Sequence, residues 1–274
     1  MTTDSQRTGT FKKISSLSNP LVKDIRGLQL KKHRDESGLF IAEGQKLVRD
    51  AVDGGWPIHM LAYSASLADD ASVGGLAAET KAAGGAVLEV SAQVLEKITR
   101  RENPQNVIGV FRQRYAPEST IGSEGIWVAL DRVRDPGNLG TIVRTADAAG
   151  VKGVALVGAH CDPFGLEAVR ATMGSIFHVP LARVGENMLI EQAKRHRARL
   201  IGTHLSAAAT DYRSADYSPP LILLMGNEQQ GLTRKLAEAC DALARIPMRG
   251  KADSLNLAVS TGLMIYEAAR RDLR

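Results

Sequence analysis

The chain has 274 residues, 44% of them hydrophobic and 24% charged, which excludes a fibrous or intrinsically disordered class and suggests, at roughly 150 residues per domain, two globular domains. Apolar stretches such as "LILLM" (221–225) are too short to span a bilayer, the start "MTTDSQRTGTFKK" lacks a signal-peptide core, and Cys161 and Cys240 lie too far apart for a thiolate cluster, so a cytoplasmic address is expected. The net charge of +5 is uneven: residues 1–34 hold eight Lys and Arg against two Asp, a net of +6, leaving −1 to the other 240.

Residues 1–34 therefore read as a basic arm and helix. Asn19 and Pro20 form a start signal, and Leu21, Val22, Ile25 and Leu28 recur at helical spacing through "NPLVKDIRGLQLKKHRDES". Lys23, Arg26, Lys31, Lys32 and Arg34 on this segment suit a phosphate backbone, and suit a solvated helix face equally well. Over 35–115, strands ("GLFIAEG", "PIHMLAYS", "AVLEVS", "NVIGVFRQR") alternate with helices ("QKLVRDAVDGG", "SLADDASVGGLAAETKAAGG", "AQVLEKITRREN"), the pattern of a small α/β sandwich. Residues 116–125, rich in Ser and Gly and without apolar periodicity, read as a linker.

From 126 to 274 the alternation resumes with longer units. Strands are expected at "IWVALDRV", "KGVALVG", "RLIGTHLS", "LILLMGNE" and "ALARIPM", and helices from Leu139, Leu166, Glu186, Thr233 and Asn256. Apolar strands separated by helices imply a parallel sheet covered on both faces, with ligands outside the carboxyl ends of the strands. Three loops at such ends stand out: "RDPGNLG", "GNEQQGL" and "RGKADSLN".

None of the 26 glycines is separated from another by a single residue, so the G-x-G element of dinucleotide sites and common methyltransferase folds is absent, as is a P-loop. The six histidines show no metal-ligand spacing, no G-x-S-x-G elbow occurs, and His160, Cys161 and Asp162 read as a surface turn. In "DPGNLGTIVRTADAAG", Asn138 can cap a helix whose Ile142, Val143 and Ala146 are buried, while Arg144 faces either solvent or an anion. In "LILLMGNEQQGL", glycines let a ligand lie against the backbone, and Glu228 is placed to be buried and paired. In "IPMRGKADSLNLAVSTG", Ser254 and Asn256 at a helix start form a polar pocket, more than capping requires.

Taken together and in this order, the three loops resemble the signature motifs of the SpoU-type RNA 2′-O-ribose methyltransferases of the SPOUT superfamily, and "NPLVKDIRGLQLKKHRDESGLFIAEGQKLV" resembles the substrate-binding domain that often precedes them. Thr261 departs from the Ala common in the family without touching a polar position. The resemblance implies an α/β chain with a deep trefoil knot in its C-terminal domain, S-adenosylmethionine as cofactor, a homodimer, structured RNA as substrate and no metal. It places cofactor contacts at Gly226, Asn227, Ile246, Met248 and Leu255, and active-site polar groups at Asn138, Arg144, Glu228, Ser254 and Asn256.

Methyl transfer to a ribose hydroxyl is an in-line displacement that needs alignment and stabilisation of an alkoxide-like nucleophile. A guanidinium is a permanent cation, so Arg144 is expected to hold a phosphate and the oxyanion rather than act as base, with Asn138 and Glu228 positioning it. Aromatic residues are only 4% of the chain, so phosphate and shape contacts, not an aromatic platform, are expected to hold the RNA. Ribosomal RNA is the favoured substrate. Transfer RNA, or a non-catalytic RNA-binding or ribosome-assembly role, are the alternatives.

Overall fold

The structure is a computed structural model in which residues 9–100, 102–204 and 209–270 are described; Arg7 and the end of the expected strand "RLIGTHLS" lie outside them. The chain forms two units, Met1–Gln113 with Phe164–Arg170, and Arg114–Pro163 with Ala171–Arg274.

In the first unit, β1 (Thr10–Ile14), β2 (Leu39–Glu43), β3 (Ile58–Ser64), β4 (Ala86–Val90) and β5 (Val107–Arg112) form one sheet in the order β1-β4-β3-β5-β2. Pairing is parallel from β1 through β4 to β3 and antiparallel at β3/β5 and β5/β2. The helices are α1 (Pro20–Gly27), α2 (Lys31–Ser37), α3 (Gln45–Asp53), α4 (Ala71–Ala82) and α5 (Ala92–Thr99).

Two expectations for the N-terminal segment are corrected. Residues 10–14, read as part of a basic arm, are an edge strand paired from Thr10↔Ala86 to Ile14↔Val90. Only Ile14 of "TFKKI" is buried, so no period-two pattern announced the strand; β4 supplies the backbone partners, and Lys12 and Lys13 on the open edge discourage further pairing. The single basic helix is two helices. Asn19 caps α1 by accepting from the Leu21 N–H at 3.0 Å, with Pro20 in the first turn. Beyond it, the buried Arg34 of α2 turns back and donates to the Leu28 carbonyl at 2.7 Å, so its charge satisfies the link between the helices instead of facing outward.

α1 and α5 cover one face of this sheet, where Val22, Ile25, Met60, Leu88, Leu95 and Val110 share a core. Residues 164–170, placed by sequence in the C-terminal domain, belong to the first unit: Phe164 packs 4.7 Å from Phe40 between ring centroids, and Arg170 donates to Glu43 Oε2 at 2.6 and 3.0 Å. They include most of α7 (Leu166–Thr172).

The second unit holds a parallel sheet of β6 (Ile126–Asp131), β7 (Gly153–Val157), β8 (Leu181–Val184), β9 (Arg199–Thr203), β10 (Thr210–Asp211), β11 (Leu221–Met225) and β12 (Ala242–Arg245), ordered β10-β12-β9-β11-β6-β7-β8. β6, β7 and β11 are buried along their whole length, as strands covered on both faces must be. The short strands β8 and β10 were not expected. α6 (Pro136–Ala148), α8 (Glu186–His196), α9 (Arg234–Ala239) and α10 (Leu257–Ala268) complete the unit.

Chain order runs outward from β6 to β8 on one side and resumes with β9 on the other, so the direction reverses between the neighbours β6 and β11. Such a switch point opens a crevice beyond the strand ends. No helix among the described residues is long and apolar enough to cross a membrane.

Candidate active site

The crevice is built from the ends of β6, β11 and β12. β6 ends on Asp131, 1% exposed, a buried carboxylate that requires partners. Arg132 supplies them: its Nε and Nη2 donate to Asp131 Oδ1 and Oδ2, each at 2.9 Å, and the Thr233 N–H donates to Oδ2 at 3.2 Å. Arg132 takes a left-handed backbone, φ +51°, uncommon for a residue with a side chain. It also reaches the loop after β11, donating to Gln230 Oε1 at 2.8 Å and the Gly231 carbonyl at 3.2 Å. The hydrogen bonds to Asp131 raise the affinity of the Arg132 guanidinium for its proton above the ordinary value.

The loop after β11 closes on itself. Asn227 and Gly231 exchange backbone hydrogen bonds of 3.1 and 2.9 Å, and Asn227 Oδ1 accepts from the N–H groups of Gln229 and Gln230 at 3.0 and 3.3 Å. Asn227 Nδ2 donates to the Arg132 carbonyl at 2.9 Å and to Glu228 Oε2 at 3.4 Å. A Cβ on Gly226 would lie 2.6 Å from the Gly231 and Leu232 backbone, so this glycine is required by closure of its own loop. Gly226 and Asn227 were expected beside a cofactor; in the structure the Asn227 side chain builds the loop.

Three of the five expected polar residues meet. Asn138 Nδ2 donates to Glu228 Oε1 at 3.3 Å, and Asn138 Oδ1 accepts from Asn256 Nδ2 at 2.9 Å. Asn138 was expected to cap α6, but the cap is Asp135, whose Oδ1 accepts the Asn138 N–H at 2.6 Å; the Asn138 side chain is thereby released to bridge the loops. Asn256 does cap α10, accepting from the N–H groups of Ala258 and Val259 at 2.8 and 3.3 Å while its amide N–H faces Asn138. Glu228 is paired but exposed, not buried as expected, because it stands at the mouth of a cavity of about 340 Å³ lined by Arg134, Asp135, Asn138, Glu228, Gln229 and Asn256.

Ser254 and Arg144 are exposed and outside this network. Arg144 makes no hydrogen bond or ion pair among the described residues, so Asn138 and Glu228 do not position it as expected. Six residues along a helix carry it about 9 Å and about 240° from Asn138. Arg132 and Arg134 were missed; the signal for Arg132 was an acidic residue ending an otherwise apolar strand, which demands a basic partner. Burial, and then the Asp135 charge, push the Cys161 thiol up to about 12, away from the reactive thiolate form. Among the described residues no group of three or more His, Cys, Asp or Glu side chains could hold a metal ion.

The loop after β12 differs. From 246 to 255 no backbone group hydrogen-bonds to another described residue, and Ile246 and Met248 within this segment are half-buried. A run of open amides and carbonyls with half-buried apolar side chains among them fits a ligand that combines a nucleobase with polar edges, as S-adenosylmethionine does.

Residues 125–266 match the SpoU rRNA Methylase family. The chain belongs to that family. Residues 19–109 match the MRM3-like substrate binding domain. The 23S rRNA (guanosine(2553)-2′-O)-methyltransferase RlmP of Bacillus subtilis is 32% identical over 93% of this chain and 98% of its own length. A 23S rRNA (uridine(2479)-2′-O)-methyltransferase of Streptomyces viridochromogenes is 30% identical over 87% of this chain and 85% of its own. The crystal structure of an AdoMet-bound rRNA methyltransferase from Sinorhizobium meliloti superposes with a TM-score of 0.90 at 55% identity, covering 95% of this chain and 98% of that one. Within this SpoU methylase, then, the Glu228–Asn138–Asn256 chain links the three signature loops.

Proposed function

We propose that this SpoU methylase transfers a methyl group from S-adenosylmethionine to a ribose 2′-hydroxyl of structured RNA, with ribosomal RNA the favoured class. The observation that carries the reading is the hydrogen-bonded set Asn138, Glu228 and Asn256, which joins three loops of separate origin around one polar cavity. The related enzymes named above act on 23S rRNA, at a guanosine in one case and a uridine in the other.

When bound, the cofactor supplies an electrophilic methyl on a sulfonium. The backbone of Gly226, Ile246 and Leu255 would hold it, with Met248 and Asn227 nearby and Ser254 and Asn256 shaping the pocket. Asn138, Glu228 and Asn256 offer a ribose both donors and acceptors, fixing the attacking oxygen in line. Arg144 supplies a permanent positive charge for a phosphate and for the oxyanion that develops.

The reading includes a homodimer and the trefoil knot of the segments after β11 and β12. Val259, Leu263 and Tyr266, one helical stripe on α10, are exposed at 53, 39 and 48%, and Leu255 precedes them. A second copy of the chain covering this stripe would seclude it and give the unpartnered Arg144 of the adjacent α6 a closed cleft. Lys23, Arg26, Lys31 and Lys32 are the phosphate contacts on α1 and α2; Arg34 drops out because it is buried. The reading places the enzyme in the cytoplasm.

The deciding experiment is transfer of labelled methyl to deproteinised ribosomal and transfer RNA by wild type and Arg144→Ala. Alkali-resistant label in ribosomal RNA, abolished by the substitution, is the expected result. Label confined to transfer RNA would replace the substrate, and no label on either despite cofactor binding would remove the catalytic reading.

A further inference from the structure

The first unit contains a cavity of about 550 Å³ between the helices α1 and α2 and the ends of β2, β3 and β5. Its floor is aliphatic: Ile25, Leu28, Met60 and Val110 are buried there in the core of the unit. Its rim is polar, with Lys23 and Asp24 from α1, His33 and Glu36 from α2, and His59 from β3.

His59 is the informative residue. β3 is buried at every position except this one. It pairs with β5 as Ile58↔Phe111 and then Met60↔Val110, so His59 has no partner across the sheet and sits in a bulge. Bulges re-aim side chains, and this one directs an imidazole into the cavity while Met60 stays in the floor. Burial, and then the Arg112 charge, lower the affinity of His59 for a proton below the ordinary value, which favours a ring offering one donor and one acceptor. Opposite it, the His33 ring lies over Gly27, 3.5 Å from where a Cβ would stand, with its Nδ1 3.7 Å from Glu36 Oε2.

An apolar floor, two imidazoles, two carboxylates and a rim lysine match the chemistry of an RNA base: a flat π-face, an edge bearing N–H groups, and a phosphate alongside. The exposed Lys23, Lys31 and Lys32 and the half-buried Arg26 on the same two helices favour an anionic chain over a free neutral ligand. We infer that this cavity receives an unpaired nucleobase of the substrate RNA, seated on the aliphatic floor and hydrogen-bonded at its edge by His59, Asp24 and Glu36. The base is a docking contact read by the first unit alone. This inference rests on the reading above that the substrate is RNA.

The test is equilibrium binding of a 23S ribosomal RNA transcript to the full-length protein, with methyl transfer measured on the same RNA. His59→Ala and Glu36→Gln are each expected to raise Kd about tenfold, with the salt dependence, the cofactor affinity and the thermal midpoint unchanged. Lys23→Ala should instead reduce the salt slope by about one. Both cavity variants binding RNA as wild type does would overturn the inference while leaving the methyltransferase reading intact. Weakened binding in the variants with no methyl transfer by wild type would uphold the pocket and defeat that reading. Tighter binding of a free nucleoside monophosphate than of the transcript would overturn the assignment to RNA.

Discussion

Loop 226–233, after β11, and loop 246–256, after β12, flank one crevice but are held in opposite ways. The first is closed by Asn227 and Gly231, buttressed by Arg132, and anchored through Thr233 to the buried Asp131. The second makes no hydrogen bond to a described residue until Asn256 caps α10 and reaches Asn138. On the proposed mechanism, the polar groups that would meet a transition state are set in advance, which lowers the reorganisation needed during reaction. On the same mechanism, the open backbone of the second loop would be the part that grips the cofactor, with the ligand completing its hydrogen bonding.

The contrast is sharpest at Arg132. Arg132→Ala strips the charge partner from a carboxylate with no exposed surface and should destabilise the protein by about 3–5 kcal/mol, measured by urea unfolding. A loss under 1 kcal/mol would mean that the Thr233 N–H and water suffice for Asp131, and the closed loop would lose its special status.

Asn138→Ala should lower kcat/KM about a hundredfold while shifting stability by less than about 1 kcal/mol, because Asp135 still caps α6. A large stability loss with unchanged turnover would make the bridge a structural strut. Arg144→Lys keeps the charge but removes the planar fork, and turnover should drop at least about tenfold; near-wild-type rates would refute a bidentate role. The gentlest probe is hydrogen exchange with and without S-adenosylmethionine. Added protection should concentrate in 246–255 and be small in 226–233, and equal protection of both loops would dissolve the distinction.

Much of the second unit was legible in the sequence. β6, β7 and β11 are unbroken apolar runs because both sheet faces are covered, and α9 and α10 begin where Thr233 and Asn256 signalled a cap. The site was legible as three loops and five polar residues, yet only three of the five converge. Arg144 and Asn138 share a helix, and sequence proximity concealed that they face different directions. Glu228, expected to be buried, is exposed because its loop folds over Asn227 instead.

What escaped the sequence was pairing whose driving force lies elsewhere in the chain. β1 has almost no apolar signal of its own; its hydrogen bonds come from β4, 76 residues further along the chain. Arg34 looks like a surface cation until the break between α1 and α2 lets it reach the Leu28 carbonyl. Residues 164–170 lie beyond the linker yet belong with Phe40 and Glu43 of the first unit.

By itself, then, the sequence determined the class of each strongly periodic element, the order of the three signature loops and the family, because burial period, caps and turn residues are local properties. Only the tertiary structure decided which side chains of those loops touch and that Asp131 and Arg132 hold the crevice in place. It also decided that His59 leaves its ladder to face a cavity. Each of these depends on groups distant in sequence satisfying one another's charge or hydrogen bonds, and no local pattern encodes that.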